Sequence, residues 1–354
     1  MELLDKKIQE LSNDMINDII DIVRIPSVQG VPKEGKPFGE NVDNALKKAL
    51  EISEKLGFKI RYMNGYIGYA EYGEGEDYVA VVGHLDVVKE GEGWSNSPYD
   101  PCVIDGRIFG RGVLDNKGPI IAALYGLKAI KDLNIKLNTK VRIIFGTNEE
   151  TGMEDIEYYL KEEKSPVIGF TPDCKYPVVY SERGYLSLKI SDKLNSNLDL
   201  LSILKIEYND KVYGKIEIME NRNIINKEDN TYYINIKYPY GCSEEFVLSE
   251  VEKQIGDKCN IHIMRRFKPV YIDPSSKEIK ALQSAYEEVT KLDGTPVTTT
   301  GGTYAKVMPN IVAFGPSFEG QRGIAHNPDE YMDIEDIILN AKIYANSIYK
   351  LVQL

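Results

Sequence analysis

Tyr78-Val79-Ala80-Val81-Val82-Gly83-His84 is a continuous apolar run, the pattern of a strand that is buried on both faces of a sheet. Val141-Arg142-Ile143-Ile144-Phe145-Gly146-Thr147 has the same character and is rich in β-branched residues. Pro166–Phe170 is a third such run, and helical patterns lie between the runs at Pro119–Leu133 and 153–163. Strands that alternate with helices predict an α/β domain with a largely parallel sheet flanked by helices.

The sequence before the first run predicts two helices and a pair of strands. Leu3–Ile25 has helical periodicity and stops before a proline, and Phe38–Leu56 is a second helical pattern that a glycine ends. Short strands are predicted at Lys59–Met63 and Ile67–Tyr72. After His84, a segment with glycines and prolines predicts a loop that continues to residue 111.

A different pattern begins near residue 185. Residues 185–266 contain alternating polar and apolar strands, which are typical of a sheet with one wet face. We therefore expect a smaller α+β domain (185–266) inserted between the two parts of a larger domain, 1–184 and 267–354. The elements predicted here and after the insertion are strands at Leu186–Ile190, Tyr232–Lys237, Asn260–Arg266 and Ile311–Phe314 and helices at Ser243–Ile255, Ser276–Lys291 and Ile334–Leu351.

The composition of the 354-residue chain argues against several classes of partner. Its net charge is −12, which disfavours nucleic acid and anionic membrane surfaces. No apolar run approaches the ~18 residues of a membrane span, and the charged start of the chain does not resemble a signal peptide. The four cysteines form no CxxC pair, a pattern typical of free thiols in a reducing compartment. We expect a cytoplasmic protein that binds neither nucleic acid nor membrane.

Polar side chains follow the apolar runs directly. His84 and Asp86 come at the end of the first run, Glu149 and Glu150 at the end of the second, and Asp173 after the third. Ligands of open α/β sheets bind outside the carboxyl ends of the strands, so these side chains should converge. Two further candidates lie in loops, namely Asp115 before the predicted Pro119 helix and His326 after the strand at 311–314.

Two imidazoles and several carboxylates form a donor set that suits zinc, and also manganese or cobalt. The number of donors fits two ions that share one bridging carboxylate, and two such ions can generate hydroxide near neutral pH. One of the adjacent glutamates is then available as a general base. Each residue alone has an ordinary alternative as a turn, helix cap or solvated charge, but their joint placement at strand ends favours a metal centre.

The spacing of His84 and Asp86 suggests a further interaction. Residues i and i+2 face the same side of a strand. Asp86 could therefore accept a hydrogen bond from the second ring nitrogen of His84 and select its tautomer.

Several segments together resemble the co-catalytic zinc hydrolases, a family that includes acetylornithine deacetylase, succinyl-diaminopimelate desuccinylase, aminoacylase and dipeptidase V. The similarity is greatest to the dipeptidase V branch, covers roughly 1–183 and 267–354, and implies a zinc-peptidase-like sheet. The segments are Gly83-His84-Leu85-Asp86-Val87-Val88, Gly91-Glu92-Gly93-Trp94, Gly110-Arg111-Gly112 with Asp115-Asn116-Lys117-Gly118, Asn148-Glu149-Glu150-Thr151-Gly152, Thr171-Pro172-Asp173, Phe267-Lys268-Pro269-Val270-Tyr271, Gly301-Gly302-Thr303-Tyr304 and His326.

The resemblance also implies roles for individual residues. Two divalent metal ions, most simply Zn²⁺, would share Asp115 as a bridging ligand. His84 and Asp173 would complete one site and Glu150 and His326 the other, with Glu149 as the general base and Asp86 as the partner of His84. It further implies a cis peptide bond between Asp115 and Asn116, and substrate contacts from Gly302 and Thr303.

The resemblance implies that 1–184 and 267–354 form the catalytic domain and that the inserted domain, 185–266, is its lid. This lid departs from the pattern of the family. Relatives have a longer lid with a Ser-Ala-His segment that stabilises the tetrahedral intermediate, and no such segment occurs here. The third histidine of the chain, His262, is either an ordinary strand residue or a substitute for that histidine. Lys237 takes the place of an arginine that binds the substrate carboxylate, and lysine lacks the bidentate fork.

Three functions remain open from the sequence. The first is hydrolysis of a dipeptide or short peptide by a metal-activated water. The second is deacylation of an N-acyl amino acid, as in acetylornithine deacetylase or succinyl-diaminopimelate desuccinylase. The third is metal binding with reduced or lost catalysis, because of the shortened lid. The partner would be a small peptide or N-acyl amino acid, and a homodimer stays an open alternative.

Overall fold

The computed structural model of the chain divides into two compact units. The residues that it describes are 2–192, 203–220, 231–256, 259–321 and 323–354. The first unit comprises Met1–Val179, Asp273–Pro296 and Thr303–Leu354. The second comprises Tyr180–Ile272 and Val297–Gly302, so the boundaries predicted at 185 and 266 lie inside it.

Among the described residues both units contain helices and strands, and these alternate along much of the first unit. The helices are α1 (Glu2–Val23), α2 (Glu40–Lys55), α3 (Lys117–Asp132), α4 (Glu154–Glu162), α5 (Glu244–Ile255), α6 (Lys277–Thr290) and α7 (Ile334–Leu351). The strands are β1 (Lys59–Met63), β2 (Ile67–Tyr72), β3 (Tyr78–His84), β4 (Cys102–Ile104), β5 (Arg107–Phe109), β6 (Lys140–Gly146), β7 (Ile168–Thr171), β8 (Cys174–Lys175), β9 (Val179–Glu182), β10 (Gly184–Asp192), β11 (Asn209–Asp210), β12 (Gly214–Lys215), β13 (Glu217–Glu220), β14 (Thr231–Tyr238), β15 (Cys259–Phe267), β16 (Val270–Tyr271), β17 (Val297–Thr299), β18 (Ile311–Ala313), β19 (Pro316–Ser317) and β20 (Tyr331–Asp333).

The main sheet of the first unit has a parallel centre. Its strand order is β1-β2-β6-β3-β7-β18. Strand β3 pairs in parallel with β6 and β7, and β7 pairs in parallel with β18. Strands β1 and β2 are antiparallel at one edge. The predicted α/β class is confirmed, with an antiparallel hairpin added to the parallel strands.

The apolar runs form the core of this unit. Every residue of β3 is buried, and so is every residue of β6 after its first. Helix α3 packs against both strands, and α1 and α7 pack against α3. A side chain at Gly126 would put a Cβ 3.1 Å from the backbone nitrogen of Ala345, so glycine permits the close approach of α3 and α7.

The segment between His84 and Arg111 is more ordered than predicted. Instead of a loop throughout, it contains the antiparallel hairpin β4–β5, which turns at Asp105-Gly106. Both turn residues have positive φ, 49° and 78°, as expected of an Asp-Gly hairpin turn. Strand β20 pairs with β5 and makes a three-stranded sheet. The strands are short, so their periodicity was too weak to predict them.

The second unit is an antiparallel sheet packed on a helix. The strand order is β13-β14-β10-β15. Alternate residues of β10, Leu186, Leu188 and Ile190, are buried in a cluster that also contains Val247 and Val251 of α5. The alternation of the sequence therefore places one face of the sheet in the apolar core of this unit.

Two findings concern the whole of the described chain. Among the described residues, no helix combines the length and the apolar character that a membrane crossing requires. All four cysteines are free thiols.

Candidate metal centre

The predicted site residues lie at the carboxyl ends of the parallel strands. Strand β3 ends at His84 and pairs it with Gly146, the last residue of β6. Glu149 and Glu150 follow β6 after two residues, and Asp173 follows β7 after one. Adjacent parallel strands that end together bring these side chains to one edge of the sheet.

Asp115 lies between the two histidines of this unit. Its Oδ1 is 3.0 Å from Nε2 of His84, and its Oδ2 is 2.9 Å from Nε2 of His326. The peptide bond from Asp115 to Asn116 is cis, as the resemblance implied. Each carboxylate oxygen therefore faces a different imidazole.

The remaining carboxylates surround this arrangement in two groups. One potential metal-binding group is His84, Glu149 and Asp173, and the other is His84, Asp115 and Glu150. Within each group, the candidate ligand atoms lie within 4.8 Å of one another. His326 joins the second group, because its Nε2 is 3.0 Å from Oε1 of Glu150. The structure thus brings all five predicted ligands together, along with Glu149.

The role of Asp86 differs in detail from the prediction. Nδ1 of His84 lies 2.9 Å from the backbone carbonyl oxygen of Asp86 and 3.5 Å from its carboxylate. The carbonyl is therefore the better acceptor, and it fixes the ring so that Nε2 faces Asp115. The Asp86 carboxylate instead accepts hydrogen bonds from the backbone N–H groups of Glu149 and Glu150, both at 3.1 Å. The two oxygens of one carboxylate thus hold both backbone N–H groups.

The acidic groups of the centre perturb one another. Burial, together with the charge of Asp173, raises the pKa of Glu149 well above its usual value. Burial also raises the pKa of Asp173 to about 7. Burial opposes ionisation of Asp115 as well, but its hydrogen bonds with His326 and His84 lower its pKa. Several buried carboxylates thus lie close together, and only two imidazoles are available to pair with their negative charges.

The histidines show the opposite perturbation. Burial lowers the pKa of His84, but the charge of Asp173 and the hydrogen bond with Asp115 outweigh it, so that this pKa rises well above its usual value. Hydrogen bonds with Asp115 and Glu150 raise the pKa of His326 to about 11. The cluster requires positive charge at its centre, and its mixed nitrogen and oxygen donors suit a divalent cation such as zinc.

The residues predicted to contact substrate are not in either ligand group. Lys237 is half-buried on β14, and His262 is exposed on β15, an edge strand of its sheet. Both belong to the second unit, as does the exposed Gly302. Thr303 is buried in the first unit, where its Oγ1 accepts the N–H of Ala305.

Two carboxyl groups behind the cluster could not be predicted from the sequence. Asp155, in α4, accepts backbone N–H groups from Thr147 and Asn148 at the end of β6. Glu330, just before β20, accepts three backbone N–H groups from the loop that ends at Asp115. Neither is marked by a local motif, because each acts on a segment elsewhere in the chain.

Comparison with known proteins gives a match to a family model and to full-length relatives. The model described as peptidase family M20/M25/M40 matches residues 80–350. The protein YtjP of Bacillus subtilis (strain 168) is 28% identical to this chain. A β-Ala-Xaa dipeptidase of Lactobacillus delbrueckii subsp. lactis is 25% identical to it. Both alignments cover 99% of this chain and 99% of the relative. Human carnosine dipeptidase 1 has a similar fold, with a TM-score of 0.80, 16% identity and coverage of 100% of this chain and 99% of that one.

These alignments also show that this chain is short. The match to the Lactobacillus protein spans 464 positions, whereas this chain has 354 residues. At least 110 aligned positions therefore have no residue in this chain.

Proposed function

The chain belongs to peptidase family M20/M25/M40, and from this premise we propose that it is a two-metal dipeptidase. The observation on which the proposal chiefly rests is the position of Asp115, with one oxygen 3.0 Å from His84 and the other 2.9 Å from His326. A carboxylate that faces two imidazoles with different oxygens is suited to bridge two cations.

The proposed ligands divide into two sets. His84 and Asp173 would bind one ion with Asp115, and Glu150 and His326 would bind the other. When bound, two divalent ions lower the pKa of water and stabilise negative charge that develops on a substrate oxygen. Zinc fits the donors best, and manganese or cobalt also fit.

Glu149 is proposed as the general base. It is adjacent to a ligand in sequence, and the same Asp86 carboxylate receives its backbone N–H and that of Glu150. Burial and the charge of Asp173 raise its pKa, and a higher pKa makes the carboxylate a stronger base. Glu149 would take a proton from the attacking water and transfer it to the amine that leaves.

The substrate class is proposed from the family and the relatives. Names of similar proteins refer to dipeptidases, including one that acts on β-Ala-Xaa. We therefore favour a dipeptide with a free amino end, and Lys237 is the proposed partner of its carboxylate. Turnover is expected to be slow, since a missing oxyanion donor typically costs ~10²–10³ in rate.

The test uses the full-length protein, first freed of metal by a chelator. It is then loaded with Zn²⁺, Mn²⁺ or Co²⁺, its metal content is measured by elemental analysis, and amine release is followed. The substrates are Ala-Xaa and β-Ala-Xaa dipeptides, a tripeptide, and N-acetyl and N-succinyl amino acids. About two ions per chain and a preference for dipeptides are expected.

Other results of this experiment would refute parts of the proposal. Preference for N-acyl amino acids would identify a deacylase with the same metal centre. Two bound ions without turnover on any substrate would indicate a metal-binding homologue that has lost catalysis. Failure to bind divalent ions would overturn the proposal as a whole.

A further inference from the structure

Glu330 is a fully buried carboxylate with a complete set of hydrogen-bond donors. Its side chain has 0% exposure. One oxygen, Oε1, accepts the backbone N–H groups of Gly112 at 3.0 Å, Leu114 at 2.9 Å and Asp115 at 3.1 Å. The other, Oε2, accepts a hydrogen bond from Nη1 of Arg111 at 2.7 Å. Such a group is stable in a core only because its charge is paired and its oxygens are satisfied.

Strand pairing brings Glu330 to this position. Strand β20 pairs with β5, and the backbone carbonyl of Glu330 accepts the N–H of Gly110 at 2.9 Å. The pairing of β20 with β5 therefore extends by one residue on each side, to Glu330 and Gly110. Glu330 also follows His326 by only four residues, so one short segment supplies both a proposed ligand and the acceptor for the Asp115 loop.

The loop requires an acceptor of this kind. Residues 110–116 lie between β5 and α3 and belong to no strand. The N–H groups of Gly110, Arg111 and Val113 donate to backbone carbonyls, whereas those of Gly112, Leu114 and Asp115 donate to the Glu330 side chain. A buried backbone N–H without a partner costs about 1–3 kcal/mol. A carboxylate oxygen can accept all three hydrogen bonds at once, and it orients the N–H groups toward a single point.

We propose that Glu330 is a positioning residue that places the Asp115 carboxylate between His84 and His326. The proposal rests on the proposed function, in which Asp115 bridges two ions. Glu330 itself touches neither imidazole in the described contacts. Its effect passes through the backbone of Asp115, whose N–H it binds directly.

Arg111 completes the arrangement. It is 1% exposed, and its guanidinium also donates to the backbone carbonyl of Glu90 at 3.1 Å and lies over the ring of Trp94. Its positive charge is paired with Glu330. Burial and the charge of Asp115 still raise the pKa of Glu330, and the hydrogen bonds from the loop together with Arg111 oppose that shift.

The substitution Glu330→Gln tests this role. The amide keeps the size of the side chain, but its NH₂ group would face either Arg111 or the three N–H groups, and both are donors. Residues that orient metal ligands typically change metal affinity by about 10–100-fold. We expect Glu330→Gln to weaken binding of Zn²⁺ or Co²⁺ by about that factor and to change the absorption spectrum of bound Co²⁺.

The control is Asp18→Asn. Asp18 is another buried carboxyl group, and its partners are Tyr125 and Lys55 rather than the Asp115 loop. This variant should lose unfolding free energy while its Co²⁺ spectrum and metal affinity stay as in the wild type. If Glu330→Gln does not fold, Glu330→Asp takes its place, because its carboxylate is retracted by one methylene and cannot reach all three N–H groups.

Titration of the wild type and the Glu330 variants with Zn²⁺ or Co²⁺ distinguishes three outcomes. If the wild type binds about two ions and a folded Glu330 variant has the same affinity and spectrum, the positioning role is wrong and the metal centre stands. If the wild type binds no divalent ion, the proposed function fails, and the positioning role fails with it. Weakened binding with an altered Co²⁺ spectrum in the variant alone supports the role.

Discussion

The hydroxyl of Tyr304 donates a hydrogen bond to the carboxylate of Asp155, behind the end of the strand that leads to Glu149 and Glu150. Asp155 also accepts the backbone N–H groups of Thr147 and Asn148, at 2.7 and 3.2 Å. Both members of the pair are fully buried. Tyr304 also lies against Gly146, where a Cβ would be only 2.1 Å from its hydroxyl oxygen, so a side chain there would displace the ring.

The ionisation of Asp155 should make the stability of the fold depend on pH. Burial raises the pKa of Asp155 from 3.8 to about 7, although the hydrogen bond from Tyr304 lowers it. Between these values the folded chain binds a proton that the unfolded chain releases. Its contribution to stability is therefore complete below about pH 4 and is lost as pH rises toward 7, at up to about 1.4 kcal/mol per pH unit.

Asp155→Asn should reduce this pH dependence by the contribution of one group, because Asp173, whose pKa burial also raises to about 7, still titrates in the same range. Denaturant unfolding of the metal-free protein between pH 5 and 7.5 would give the slope for each variant. The control Asp77→Asn changes an exposed carboxyl group and should retain the wild-type slope. Equal slopes for wild type and Asp155→Asn would show that Asp155 does not titrate in this range.

The two adjacent glutamates should respond differently to the same substitution. Glu149→Gln should lower kcat by about 10²–10⁴ while metal content stays near two ions, because only proton transfer is lost. Glu150→Gln should lose metal, because it removes a charged ligand. Elemental analysis and dipeptide hydrolysis distinguish these effects, with exposed Glu157→Gln as the control. Metal loss in Glu149→Gln would instead identify Glu149 as a ligand.

Metal binding should tighten as pH rises. The pKa of His326 is about 11 without metal, so its imidazole is protonated at neutral pH and must release that proton before it can bind an ion. Calorimetric titration in buffers of different ionisation enthalpy should detect proton release with Zn²⁺. His326→Ala should release fewer protons and bind one ion weakly. Binding that is independent of pH from 6 to 8 would contradict this account.

Bound metal should also stabilise the fold. Four carboxylates share the cluster with two imidazoles, and divalent ions would relieve their repulsion. At a free metal concentration 100 times Kd, one site contributes about 2.7 kcal/mol to the unfolding free energy. Thermal unfolding with chelator and with Zn²⁺ measures the effect, and an unchanged Tm would argue against binding in this cluster.

Lys237 should act on the carboxyl end of the substrate. Lys237→Met is expected to raise KM about tenfold for a dipeptide with a free carboxylate, because a charge-assisted hydrogen bond is lost. KM for the corresponding dipeptide amide should stay the same, which makes the amide the matched control. Lys237→Arg should lower KM for the free acid, since arginine adds a second donor. A uniform change with both substrates would exclude this role.

The sequence by itself determined the longer strands and helices of the first unit and the order of its candidate ligands. Each apolar run, such as Tyr78–His84, records local burial, and polar residues just after such a run must lie at a carboxyl end of the sheet. For this reason His84, Glu150 and Asp173 could be predicted to lie close together. The β4–β5 hairpin was missed because three-residue strands have too little periodicity to recognise.

Only the tertiary structure decided which side chains hydrogen-bond to the backbone next to the candidate ligands. Asp86 receives the N–H groups of Glu149 and Glu150, and Glu330 receives those of a loop more than 200 residues earlier. These are hydrogen bonds to backbone groups, which every residue type presents. No side-chain pattern in the sequence can therefore specify them, and they exist only once strands distant in sequence have paired.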